Sequence, residues 1–150
     1  SWKSKRKFFG DGKSFELCDL HKILNNTEID FINLQYGEVS KDKQELEIKH
    51  GIKLIDIKDL DIMNDFEKVS ALLCSLDLFV TVSNSTAHLA GALNVPTILI
   101  KPKSYALFHY WSQPKQSTPW YSSIQMIEQE SNKDNFIKKL NTILINELEK

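Results

Sequence analysis

Apolar residues along the chain fall into two patterns. Short, nearly continuous runs occupy positions 30–36 (DFINLQY), 52–57 (IKLIDI), 78–83 (LFVTVS), 96–101 (PTILIK) and 123–129 (SIQMIEQ). Their length and their β-branched and aromatic content predict strands. The run at 96–101 is almost uninterrupted, as expected of a strand covered on both faces. The run at 123–129 alternates more, which predicts an edge strand. The second pattern has helical spacing. Phe66, Val69, Leu72, Leu73 and Leu76 share one face of NDFEKVSALLCSL, and Phe136, Ile137, Leu140, Ile143, Leu144 and Leu148 share one face near the carboxyl end. Ser131 or Asn132 is the expected cap of that last helix. A further helix, STAHLAGALN, follows the third run, and LCDLHKILNN and KDKQELEIKH are weaker helical candidates.

Strand and helix alternate throughout, which predicts an α/β domain: a Rossmann-like parallel sheet with helices on both faces. Ligands of open sheets of this kind bind beyond the carboxyl ends of the strands. That edge gathers positions 1–7, 35–38, 56–58, 83–86 and 101–104. The length of 150 residues suits one domain. Such a domain buries roughly 68–70% of the surface of its unfolded chain, enough for a real core. A net charge of −1 gives no global pull toward nucleic acid or an acidic membrane. The one basic cluster, SWKSKRK at the start, reads either as an anion site or as a solvated tail. Cys18 and Cys74 suggest neither a disulfide scaffold nor a zinc site, and Cys74, in an apolar helical run, is expected to be a reduced core residue. No apolar run approaches the ~20 residues of a membrane span, and no signal peptide is present, so a cytoplasmic location is expected. The chain opens on Ser1 and enters Trp2 at once, which reads as part of a longer protein.

The candidate chemistry lies at 80–100, VTVSNSTAHLAGALNVPTILI. Four short polar side chains, Ser83, Asn84, Ser85 and Thr86, stand between a strand and a helix of small residues. A helix begins with N–H groups that have no partner inside it. Ser, Asn and Thr cap such a start, and the same N–H groups, with the positive end of the helix dipole, bind phosphate. Ala87, Ala90, Gly91 and Ala92 would let the helix lie close to the sheet, and His88, on the first turn, could face the same anion. The plainer reading also stands: the polar residues only cap the helix, and His88 is a satisfied interior side chain. No Gly-rich dinucleotide fingerprint or Walker loop is present, and no Gly-x-Ser-x-Gly elbow surrounds Ser83 or Ser85.

The segment LDLFVTVSNSTAHLAGALNVPTILI resembles the HLAGAL-G-x-P motif region of glycosyltransferase family nine, the heptosyltransferase-like proteins, and of its tetratricopeptide-associated relatives. SWKS, INLQYG, DIMNDFEKVSALLCSLD and STPWYSSIQMIEQ are similar, in the same order, to other pieces of that family. The resemblance implies the C-terminal half of a glycosyltransferase of the B architecture, holding a nucleotide-diphosphate sugar, with no metal or other cofactor implied. Carried over, Ser83, Asn84, Ser85, Thr86 and His88 sit at the donor diphosphate with Lys3 as the basic partner. Lys5, Gln35, Tyr36, Ile57 and Asp59 line the donor cleft. The general base would belong to an N-terminal half that this chain lacks, so the isolated chain is expected to bind donor weakly and transfer nothing. The family usually has Asp-Thr where Ser83-Asn84 stands, and Pro where Ser122 follows Trp120-Tyr121. The lost carboxylate either alters the donor or ends the loop's service in catalysis.

Two other classes stay open: a non-catalytic binding or scaffolding module beside tetratricopeptide repeats, and half of another sugar-nucleotide enzyme such as an epimerase. The aromatic segment 102–119, with Tyr105, Phe108, Tyr110 and Trp111 and then Trp120 and Tyr121, is expected to stack on a sugar or base, or to pack against the missing half or the last helix. Left exposed, it would drive self-association.

Overall fold

The structure is a computed structural model, described here for residues 1–4, 13–102, 109–112 and 117–150. A 3-10 turn, Leu17–Leu20, leads into the short helix α1, His21–Leu24. Helices α2 (Ser40–His50) and α3 (Phe66–Cys74) precede strand β1 (Phe79–Val82). Then follow α4 (Ser85–Ala92), β2 (Thr97–Lys101), a 3-10 turn at His109–Trp111, β3 (Ile124–Glu128) and α5 (Lys133–Leu148). The three strands form a parallel sheet in the order β1-β2-β3, with Phe79 opposite Thr97 and Thr97 opposite Ile124. The fold is α/β and Rossmann-like, as the alternation predicts.

Strand period 2 sorts the core into two faces. Val82, Ile98, Ile100 and Ile127 face α5, where Phe136, Ile137, Leu140 and Leu144 are buried. Leu99, Ile124 and Met126 face the other way and pack with Ala87 of α4 and with Trp111. Phe79 shares a third cluster with Val69 and Leu73 of α3 and Ala90 of α4. Strand β2 is buried at every position, the central strand its apolar run predicts. The sequence reading of β3 as an edge agrees with its place in the sheet order.

The segments 30–36 and 52–57 do not form full strands. They meet in one isolated parallel bridge, Ile32 with Ile55, closed by Asn33 N–H to Ile55 O and Ile55 N–H to Phe31 O, both 2.8 Å. Residues 1–3 lie between this pair and β1. The Ser1 nitrogen donates to Val80 O at 2.9 Å, and Val82 N–H donates to Ser1 O at 3.2 Å. On its other side this short stretch meets the Gln35 side chain (Oε1 accepts from Trp2 and Lys3 N–H at 2.8 and 2.7 Å) in place of a ladder. A strand needs a partner along its whole length, and three residues cannot supply one. In spatial order the extended segments are 52–57, 30–36, 1–3, β1, β2 and β3. The chain order therefore reverses between residues 1–3 and β1.

Helix ends follow the local chemistry. Asn132 caps α5 by accepting from Asn135 N–H at 3.0 Å, one of the two candidates named above. Asp65 caps α3 by accepting from Lys68 N–H, and that hydrogen bond is the leading cause that holds its carboxyl below the ordinary range. Gly51 ends α2 at φ 69°, a left-handed position that glycine adopts without strain. Two expectations fail on α3. Phe66, at its first position, is exposed, and so is Cys74, because the helix buries Val69 and Leu73 and the next residue turns outward.

Candidate functional site

The reversal point lies between the carboxyl ends of residues 1–3 and β1, the place where open α/β sheets bind ligands. Strand β1 ends at Val82, and α4 begins at Ser85. Asn84 is the N-cap: its backbone is extended (φ −152°, ψ 179°), and its Oδ1 accepts from Ala87 N–H at 3.0 Å. The Asn84 amide also donates to Ser1 Oγ and Thr81 Oγ1, each at 3.1 Å. One side chain thus joins the helix start, the strand before it and the neighbouring strand.

Around this cap the four polar residues separate. Ser83 is buried, and its Oγ accepts from Trp111 Nε1 at 3.0 Å. Thr86 is buried, whereas Ser85 is exposed at the very start of the helix. Ala87 and Ala90 are fully covered and Gly91 is buried, so the helix does lie close to the sheet; Ala92, expected to share that role, is exposed. A methyl group on Gly91 would come within 2.5 Å of Tyr121 Cγ and 2.9 Å of Ile124 Cδ1.

His88 is held in an aromatic cluster. Its ring stacks on Trp111 with centroids 4.8 Å apart, meets Tyr110 edge-on at 4.8 Å, and shares a hydrogen bond of 3.1 Å between Nδ1 and Tyr121 Oη. Burial pushes its pKa below the ordinary value of 6.5, so the neutral form is favoured. Trp111 touches both Ser83 and His88, which makes the described end of the aromatic segment a brace for the α4 start. Trp120, by contrast, is 64% exposed. Tyr105 and Phe108 fall outside the described residues, as does Lys5.

Lys3 stands at the expected strand end, but its ammonium is paired with Asp42 of α2 at 2.8 Å. The same carboxylate accepts from Trp2 Nε1 at 3.3 Å. Gln35 is buried, its Oε1 taken by Ser1, Trp2 and Lys3 and its Nε2 donated to Lys3 O and Tyr36 O. Its amide fastens the short strand instead of facing an open cleft. Tyr36 is half-buried beside it. Ile57 and Asp59 are exposed at the far edge of the spatial order, beyond the 30–36 segment, and Asp59 has φ 58°. The structure therefore brings Ser83–Thr86, His88 and residues 1–3 together and leaves Ile57 and Asp59 apart. Trp111, Tyr121, Thr81 and Asp42 complete the arrangement. Sequence reasoning expected Trp111 and Tyr121 to stack on a ligand or to pack against another half or the last helix, whereas they pack against Ser83 and His88. It gave Thr81 and Asp42 no role, because their partners carry no local signal.

Chemically, the arrangement offers a positive helix end with an exposed hydroxyl at Ser85 and a lysine one strand away. An anion near such an end gains about 0.3–1 kcal/mol from the dipole, more where partly buried. The loop itself carries no carboxylate. Among the described residues no group of three or more His, Cys, Asp or Glu could hold a metal ion. No described helix is long and apolar enough to cross a membrane.

No family model matches the chain, and no solved structure matches it. Among curated proteins it is similar to Protein FlbA of Caulobacter vibrioides, 27% identical over 126 residues. That match covers 83% of this chain and 20% of FlbA, so the chain spans about a fifth of the length of that relative.

Proposed function

We propose that the chain is the donor-binding half of a cytoplasmic glycosyltransferase of the B architecture, akin to glycosyltransferase family nine. It would hold the diphosphate of a nucleotide-diphosphate sugar at the start of α4. The observation that carries this reading is the capped amino end of α4 opening at the reversal point of the sheet, with Ser85 exposed. The diphosphate would accept hydrogen bonds from the first-turn N–H groups and from Ser85 Oγ. Lys3 would contribute by leaving Asp42 for the anion, a move within reach of a flexible lysine stem. The acceptor's base would come from another domain of the full-length protein, and in the reaction the helix end would stabilise the departing nucleoside diphosphate.

The non-catalytic module is the second reading, and the internal use of the polar groups favours it. Ser83, Asn84, Gln35 and Lys3 all serve protein partners. One experiment separates the two. Amide NMR of the chain is followed while uridine, guanosine or adenosine diphosphate is added. Shifts at Ser85, Thr86, His88 and Lys3, abolished by Ser85→Asp, are expected of a donor site. A silent α4 start with all three nucleotides favours the module.

A further inference from the structure

Below Ser1 the sheet is interrupted by an apolar cavity of about 360 Å³. This is more than twice the roughly 150 Å³ of an apolar cavity known to bind benzene. Ile32 and Leu34 line one side, Leu78 and Val80 the other, and Ile100 and Leu140 the floor toward α5. Backbone parity tells what faces it. A strand residue sends its N–H and C=O to the same side, and successive residues alternate. Phe31 and Asn33 bond Ile55, so Ile32 and Leu34 direct their backbone groups away from that segment, toward the gap. Val80 accepts from Ser1 through its carbonyl, so its N–H points to the same side, one step below Ser1. Among the described residues no backbone hydrogen bond joins Ile32 or Leu34 to β1. Two sets of ladder groups thus face each other across apolar walls.

We infer that this cavity is the slot of one extended, apolar β-strand, running parallel to β1 in direct line with residues 1–3. Its backbone would pair with Val80 on one side and with Ile32 and Leu34 on the other. Its side chains would alternate between the α5 face and the α3 face, so every position inside would be apolar. The mouth selects the occupant further. Asp30 and Asp77, both exposed, stand among its lining residues, so a basic residue fits at the entering end and a fatty carboxylate is repelled. Filling the slot would turn the single Ile32–Ile55 bridge into a continuous ladder and join it to the β1-β2-β3 sheet.

The test compares the chain with two variants that extend the backbone ahead of Ser1, one by Lys-Val-Ile-Val-Ile and one by a Gly/Ser stretch of equal length. Hydrogen exchange is read at the Val80, Ile32 and Leu34 amides, and thermal unfolding is read alongside. The apolar extension is expected to slow exchange at these amides by at least about tenfold and to raise the midpoint by about 5 °C or more, with the Gly/Ser extension giving neither. Equal behaviour of the two extensions would overturn the inference. So would amides already protected in the unextended chain, which would mean that the walls have closed on each other. Equal protection by decanol would overturn it too, in favour of a small-molecule pocket.

Discussion

At the scale of single residues, the start of α4 is fixed from behind by side chains that no local pattern reveals. Trp111 holds Ser83 across 28 positions of chain, and Asp42 holds Lys3 across 39. Gly91 shows how tight the packing is. Alanine is the better helix former by about 1 kcal/mol, yet its methyl group would overlap the Tyr121 ring. Gly91→Ala is therefore expected to destabilise the chain by about 1–3 kcal/mol, read as a lower urea midpoint. The His88 ring resonances are expected to shift as Tyr121 is displaced. His88 itself gives a pH signature. Its pKa is depressed in the fold, so above 6.5 it is neutral in both states. Below 6.5 the unfolded chain takes up the proton first, and stability is lost as the pH falls through the folded value. Urea titrations at about pH 7.5 and about pH 5 are expected to show a smaller pH loss in His88→Phe than in the parent.

At the scale of elements, legibility followed locality. Strand β2 was readable because both of its faces are buried and its apolar run says so. Helix α5 was readable because its stripe and its Asn132 cap lie within one stretch of sequence. Asn132→Ala is expected to cost about 1 kcal/mol, within the usual range for a cap, measured by chemical denaturation. The segments 30–36 and 52–57 carry the composition of strands, yet only Ile32 and Ile55 pair, because pairing is decided by the neighbour and not by the segment. Cys74 and Phe66 were misplaced for a related reason. An apolar stripe gives the helix, but which edge of it the sheet covers is set by tertiary packing. At the candidate site, the helix start and its cap were legible from SNSTAH. The occupation of Lys3, Gln35 and Ser83 by partners in the protein was not.

At the scale of the whole molecule, the extended segments in the order 52–57, 30–36, 1–3, β1, β2, β3 place one reversal of chain direction beside the capped end of α4. The proposed donor site and the strand slot occupy opposite ends of the same short stretch, residues 1–3. Gln35 ties that stretch down: a single amide gathers Ser1, Trp2 and Lys3 onto the turn after the 30–36 segment. That amide works together with the Ser1–Val80 and Lys3–Asp42 contacts, which cross 79 and 39 positions of chain, so ordering residues 1–3 carries a loop-closure cost that the local helix caps do not. The rim beside the α4 start is thus a long-range assembly: its shape comes from groups gathered across the chain and not from any one local motif.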